Sequence, residues 1–280
     1  MHSRVGMQSG FHHSRKRIVA EVLGVVAVLG LLVWGVLALA GTLAAAALPL
    51  VPPSVDNRLG ETFYSLLAPE SERCTSPEPK AYVDAVAKPL LEALGPSPFA
   101  FEFVVVDDDA INAFALPGGK MAVNIGLLRK ASTGEEVAGV LAHELSHATQ
   151  RHGLHKILEG LGGTAALGML FGIVDVETLA APAVALLHRA YSRDTERDAD
   201  TVGRALLVKA RIDPYGMAEF FRRLEAEHGD ALPPALLSTH PDPGDRARAI
   251  AEGPEPEGPL LALPPPPASL PCRSDTDAAE

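Results

Sequence analysis

Cysteine is nearly absent from this 280-residue chain, which contains only Cys74 and Cys272. Their spacing rules out a cysteine zinc site, and neither lies in a pattern for thiol catalysis. In an oxidising compartment the two can pair and tie the start of a folded domain to its tail, but the sequence alone leaves that pairing open. An excess of positive charge is also missing: 24 Lys and Arg stand against 35 Asp and Glu, a net charge of −11. That balance argues against nucleic acid as a partner and suggests only solubility. No internal repeat is visible. Charge of either sign is missing from Val22 to Val51, a run of thirty residues. A bilayer span needs about 20 residues, whereas the core of a signal peptide is about 7–15.

The run is therefore long enough for an uncleaved anchor. Arg15, Lys16 and Arg17 before it place the amino terminus in the cytoplasm. The alternative is a signal sequence cleaved near the alanines at 44–47, giving a secreted protein. In either case the following domain lies outside the cytoplasm, which for an anchored protein means a single-pass protein of the cell (inner) membrane facing the periplasm. No cysteine closely follows the run, which argues against lipid attachment. The expected divisions are a basic segment at 1–17, the anchor at 18–48, a proline-bearing linker at 49–79, a folded domain at 80–252 and a tail at 253–280. That tail carries Pro264–Pro267 and several acids, and is expected to be disordered or extended. About 175 residues remain for the domain, ample for a core.

The most informative stretch is His143-Glu-Leu-Ser-His147 within GEEVAGVLAHELSHATQRHG. Histidines four apart on a helix stand nearly one above the other and can reach a single zinc ion. The glutamate between them can act on a water at that metal. Ser132 and Glu135 read as a capping box, Val137, Val140, Leu141 and Leu145 as an apolar stripe, and Gly153 as a stop. The motif thus sits on a helix of about five turns.

Two histidines hold zinc weakly, so a third protein ligand is expected, with a fourth position left for water. The extension HExxHxxGxxH fails, because Gln150 and Gly153 occupy the places of its glycine and last histidine. A helical pattern from Ala183 to Ala210 carries Glu196 and Asp200, four apart and on one face. One of them can ligate zinc while the other hydrogen-bonds a ligating histidine or sits near the reacting water. A stretch such as SRDTERDAD is otherwise most often a solvated helix face.

With these residues in place, the chain resembles the HtpX-like and CAAX-prenyl-endopeptidase-like zinc peptidases. His143, Glu144 and His147 match HExxH, and Glu196 with Asp200 matches the downstream ExxxD. NAFALPGGKMAVNIGLL at 112–128, RIDPYGMAEFFRRL at 211–224 and STHPDPGDRARAI at 238–250 agree as well. The resemblance runs from about Lys80 to about Glu252. It implies an endopeptidase with one zinc per chain held by His143, His147 and Glu196, with Glu144 as general base and a catalytic or proton-donating role for Asp200. It also implies an α+β, mainly helical, zincin-like metallopeptidase domain with a small β-sheet, here preceded by one transmembrane helix.

His240, before Pro241, is the first candidate for an oxyanion donor or for a residue that covers the metal; a loop histidine fixed by the proline is the competing reading. Arg193 and Arg246 are expected to pair with neighbouring carboxylates. His152, His155, His188 and His228 have no ligand partner at helical spacing and read as surface or core residues. Pro117-Gly118-Gly119 reads as a turn between two extended segments. The resemblance favours one of these segments as an open strand edge for substrate over a plain buried hairpin.

Residues 157–187 depart from the multi-span relatives. Gly160–Val174 is uncharged but too short to span a bilayer, so buried bundle helices are expected there, with a membrane-dipping hairpin as the alternative. This departure argues against prenylated substrates, and by analogy misfolded or assembling envelope proteins are expected. The expected activity is that of a membrane-anchored zinc endopeptidase acting on polypeptides. A chaperone or assembly factor with little or latent cleavage is the alternative.

Overall fold

The computed structural model describes residues 15–161, 176–187, 189–228 and 256–273, and the single positions 168, 240, 246, 250 and 253. Nine helices of six residues or more are described: α1 (Arg15–Ala47), α2 (Pro53–Leu67), α3 (Pro77–Leu94), α4 (Ile125–Lys130), α5 (Gly134–Thr149), α6 (His152–Leu161), α7 (Val176–Leu187), α8 (Arg193–Lys209) and α9 (Gly216–His228). The strands are β1 (Glu102–Val106), β2 (Ala113–Ala115) and β3 (Lys120–Asn124), in the order β1-β3-β2. The protein is thus mainly helical with one small mixed sheet.

Strand β1 runs parallel to β3 with Val104 opposite Ala122, and β2 runs antiparallel to β3 with Phe114 opposite Ala122. Both faces of the sheet are covered, which is why β1 reads as an unbroken apolar run. Phe103, Val105, Met121 and Val123 face a core shared with α3, α5 and α9. Val104, Val106, Leu116 and Ala122 face a second core shared with α2, α6 and α7. The outer edge of β1 is closed by Cys74, whose N–H donates to Val105 O at 2.8 Å. On its open side β2 faces α5, the helix that carries the two histidines.

Helix α5 is buried on nearly every side, from Gly134 and Glu136 to Ala148, and not along one stripe alone. Small residues permit this close packing. A Cβ on Gly203 of α8 would lie 3.1 Å from the Ala142 carbonyl carbon, so this glycine lets α8 close onto the motif. The cap falls one residue later than Ser132 and Glu135. Thr133 Oγ1 accepts from Glu136 N–H, and Glu136 Oε2 accepts from Ser132 N–H. Glu136 is also paired with Arg223 of α9 at 2.7 Å, which holds the acceptor in place.

Residues 49–79, read as a linker from their prolines, include helix α2. Val55, Leu59 and Phe63 recur at helical spacing and are buried in α2. Pro53 stands at the first helical position, where a missing N–H does no harm. The helical pattern read from Ala183 to Ala210 is broken between Leu187 and Arg193, where Ser192 caps α8 by accepting from Thr195 N–H. Most of the uncharged stretch 160–174 lies outside the described residues.

Helix α1 is apolar, with mean hydropathy 2.4 over Arg17–Val36, and no residue of that span is buried. Its exit is clasped to the site. Arg151, at φ 58°, directs its guanidinium to Leu48 O, Val51 O and the Asp56 carboxylate, which is 1% exposed. At the other end, residues 260–267 lie against the start of α5, with Leu263 N–H donating to Glu135 Oε1 and Tyr82 O–H to Pro264 O. The disulfide Cys74–Cys272 then ties the tail beside β1.

Candidate metal centre

One turn of α5 brings His143 and His147 together with their Nε2 atoms 3.0 Å apart. Glu196, in the first turns of α8, spans the pair, with one carboxylate oxygen 3.4 Å from each Nε2. His240 arrives from the other side, its Nδ1 3.1 Å from both Glu196 oxygens and 3.3 Å from His143 Nε2. The four residues are buried, and each offers a ligand atom within 4.8 Å of the others. Two imidazole nitrogens this close cannot satisfy one another without a proton or a cation between them. Nitrogen and carboxylate donors converging in this way suit a divalent transition metal.

Glu144 lies between His240 of that cluster and β2. Its Oε2 accepts from Ala115 N–H at 2.8 Å, and its Oε1 lies 3.4 Å from His240 Nε2. Burial pushes the Glu144 pKa up, against the pull of His240 and His143. Asp200 is placed differently, behind His143, with Oδ1 2.9 Å from the His143 Nδ1. Arg246 grips the Asp200 carboxylate with Nη2 at 2.7 Å and Nε at 2.8 Å. Burial alone would raise Asp200, but the hydrogen bonds from Arg246 and His143 hold it down at about 2. Burial likewise opposes the ionised form of Glu196, yet His240, His143 and His147 keep it well below the usual carboxylate range.

The ladder bonds Leu116 N–H to Lys120 O and Asn124 N–H to Asn112 O fix which backbone groups of β2 point inward. Ala113 and Ala115 therefore turn their N–H and C=O outward, to the edge beside Glu144. A cavity of about 220 Å³ opens there, lined by Phe114, Ala115, Leu116, Glu144, Leu187 and Tyr191 among others.

All six residues singled out from the sequence meet in this region. Arg246 pairs with carboxylates as expected, and Arg193 lies in the exposed first turn of α8. Two residues were missed. Tyr191 stacks on His147, with ring centroids 4.3 Å apart and an interplanar angle of 21°. His152 places its Nδ1 3.0 Å from His147 Nδ1, although the two are five apart and off helical repeat. The left-handed turn at Arg151 swings it back, and no local pattern in the sequence announces that turn. His155 pairs with Glu159. His188 and the side chain of His228 lie outside the described residues.

The chain is similar to several known proteins. The β-barrel assembly-enhancing protease of Escherichia coli (strain K12) is 27% identical over 207 residues, covering 68% of this chain and 42% of the relative. That of Yersinia pestis is 33% identical over 162 residues, covering 52% and 33%. The mitochondrial metalloendopeptidase OMA1 of Arabidopsis thaliana is 34% identical over 153 residues, covering 55% and 31%. The chain thus spans less than half the length of each of these relatives. The sequence pattern of peptidase family M48 matches residues 77–253, and the chain belongs to that family.

Proposed function

We propose that the chain is a membrane-anchored, zinc-dependent endopeptidase in which His143, His147 and Glu196 hold one zinc and Glu144 is the general base. The observation that carries this reading is the convergence of two imidazoles and a carboxylate beside a second, separately held carboxylate at an open strand edge. Bound zinc would supply a Lewis acid and bring the pKa of a coordinated water to about 7.

The chain's own groups perform the remaining steps. The C=O of Ala115, at the cavity beside Glu144, pairs with a substrate backbone laid along the end of β2 as an added strand. Glu144 accepts the proton of the attacking water at a carboxylate oxygen, and burial makes it a stronger base than a surface carboxylate. It then returns that proton to the leaving amine. Asp200, locked in its ionised form by Arg246, accepts from His143 Nδ1 and orients that ring. Its position behind His143 favours this role over proton donation to the substrate.

His240 supports a second reading. A nitrogen donor from His240 beside three others completes four-point coordination, which closes a site instead of leaving a position for water. In that arrangement the chain is latent until the His240 ring gives up its place to water. A chaperone-like or assembly role with little turnover would follow if it never does.

The basic residues Arg15, Lys16 and Arg17 at the start of α1 and the disulfide Cys74–Cys272 support a domain outside the cytoplasm of a cell's inner membrane. The bacterial relatives are named as β-barrel assembly-enhancing proteases, which favours assembling envelope proteins as substrates. The test is to incubate the purified full chain with an unfolded protein and zinc, with and without a chelator. Cleavage that the chelator abolishes supports the peptidase, and an intact substrate in both arms favours the latent or chaperone reading.

A further inference from the structure

His152 and Asp198 lie outside the cluster that faces the cavity, and neither has a part in the reaction above. Yet the His152 ring meets His147 on the side away from the cluster, Nδ1 to Nδ1 at 3.0 Å. Its other nitrogen, Nε2, lies 3.3 Å from Asp198 Oδ2. We propose that His152, steadied by Asp198, is a positioning residue for the metal ligand His147, an inference that rests on the zinc site proposed above.

The proton arrangement follows from the connectivity. An imidazole that gives its Nε2 lone pair to a cation carries its proton on Nδ1. His147 Nδ1–H therefore donates, and His152 Nδ1 accepts. His152 must then carry its own proton on Nε2, where Asp198 is the acceptor. Each link fixes the tautomer of the next, and a carboxylate terminates the chain. Tyr191 stacked on one face of His147 adds a second restraint, so that ring is held through a face and an edge.

The two ligating histidines are thus supported unequally. His143 donates directly to a buried carboxylate gripped by Arg246, whereas His147 reaches its carboxylate through a neutral ring. Asp198 is half exposed, at 52%, so its hold on His152 is screened by solvent. Loss of Asp198 should accordingly matter less than loss of His152.

The test is zinc affinity by chelator competition, measured on the full chain with the melting temperature of the zinc-free form alongside. Removing a partner of a ligating histidine typically loosens the metal about 10–100-fold, which is the loss expected for His152→Leu. His152→Asn places its side-chain oxygen where Nδ1 stood, and should recover most of the affinity. Asp198→Asn should lose less than His152→Leu. The zinc-free forms should melt together with wild type.

Wild-type affinity in His152→Leu would overturn the proposal. So would an equal loss in the Leu and Asn variants accompanied by a lower zinc-free melting temperature, because His152 would then only be packing. A wild-type chain that binds no zinc would remove the metal site and this inference together, whereas a failure confined to His152→Leu removes this inference alone.

Discussion

The amide of Ala115 donates to Glu144 Oε2 at 2.8 Å, so the free edge of the sheet and the central helix meet at one carboxylate. Glu144 is held from the strand side, while His143 and His147, on either side of it in sequence, turn to Glu196. One helix thereby serves two directions: metal donors toward α8 and a base toward β2. The separation depends on α5 being buried all round, since each face of it needs a partner.

Zinc content is expected to depend on Glu196. In Glu196→Ala, three-point coordination by His143, His147 and the carboxylate falls to two imidazoles with His240 as the remaining donor. Elemental analysis should find about one zinc per chain in wild type and a clear deficit in the variant. Equal content would transfer the ligand role to Asp200 or His240.

For His240→Ala the two roles open to this residue predict opposite signs. If His240 closes the site as a fourth donor, its removal raises the rate of cleavage of an unfolded protein. If it stabilises the oxyanion, removal lowers the rate by about 10²–10³-fold, as for loss of other oxyanion donors. Its distance of 3.1 Å from the Glu196 oxygens places it among the donors, so the rate is expected to rise.

The histidine pair was legible in the sequence because a four-residue spacing has one meaning on a helix, and Glu196 with Asp200 was legible for the same reason. The division between the two carboxylates was not, since it depends on residues far along the chain: Asp200 meets His143 Nδ1 and Arg246, while Glu196 meets both histidine Nε2 atoms, His240 and Arg246 Nη1. Helix α2 was hidden by Pro52 and Pro53, which read as breakers until their place at a helix start is known. The break before α8 was hidden because Leu186, Leu187 and Ala190 keep the apolar period, while Ser192 caps a new helix. His152 escaped for a backbone reason, the positive φ of Arg151.

Arg151 is expected to be a major support of the junction between anchor and domain. Arg151→Ala leaves the Asp56 carboxylate buried without its partner and frees two carbonyls, at Leu48 and Val51. Breaking a buried pair in this way costs roughly 3–5 kcal/mol. Denaturant unfolding of the detergent-solubilised chain should show a loss of that order, and a loss under 1 kcal/mol would mean that water readily replaces the guanidinium.

Topology has its own readout. A reporter fused after Glu280 should be active only outside the cytoplasm, and the chain should resist carbonate extraction from membranes. A soluble form beginning near residues 40–50 would instead establish a cleaved signal and a free exported domain.

The most direct test of the central claim compares wild type with Glu144→Gln, both loaded with zinc, on an unfolded protein substrate. The substituted side chain is nearly isosteric and is not a ligand, so zinc content should be unchanged and substrate should still bind. Turnover should fall by about 10²–10⁴-fold, the usual contribution of general acid–base catalysis. Equal cleavage by the two proteins at equal zinc content would contradict the account and require a base other than Glu144.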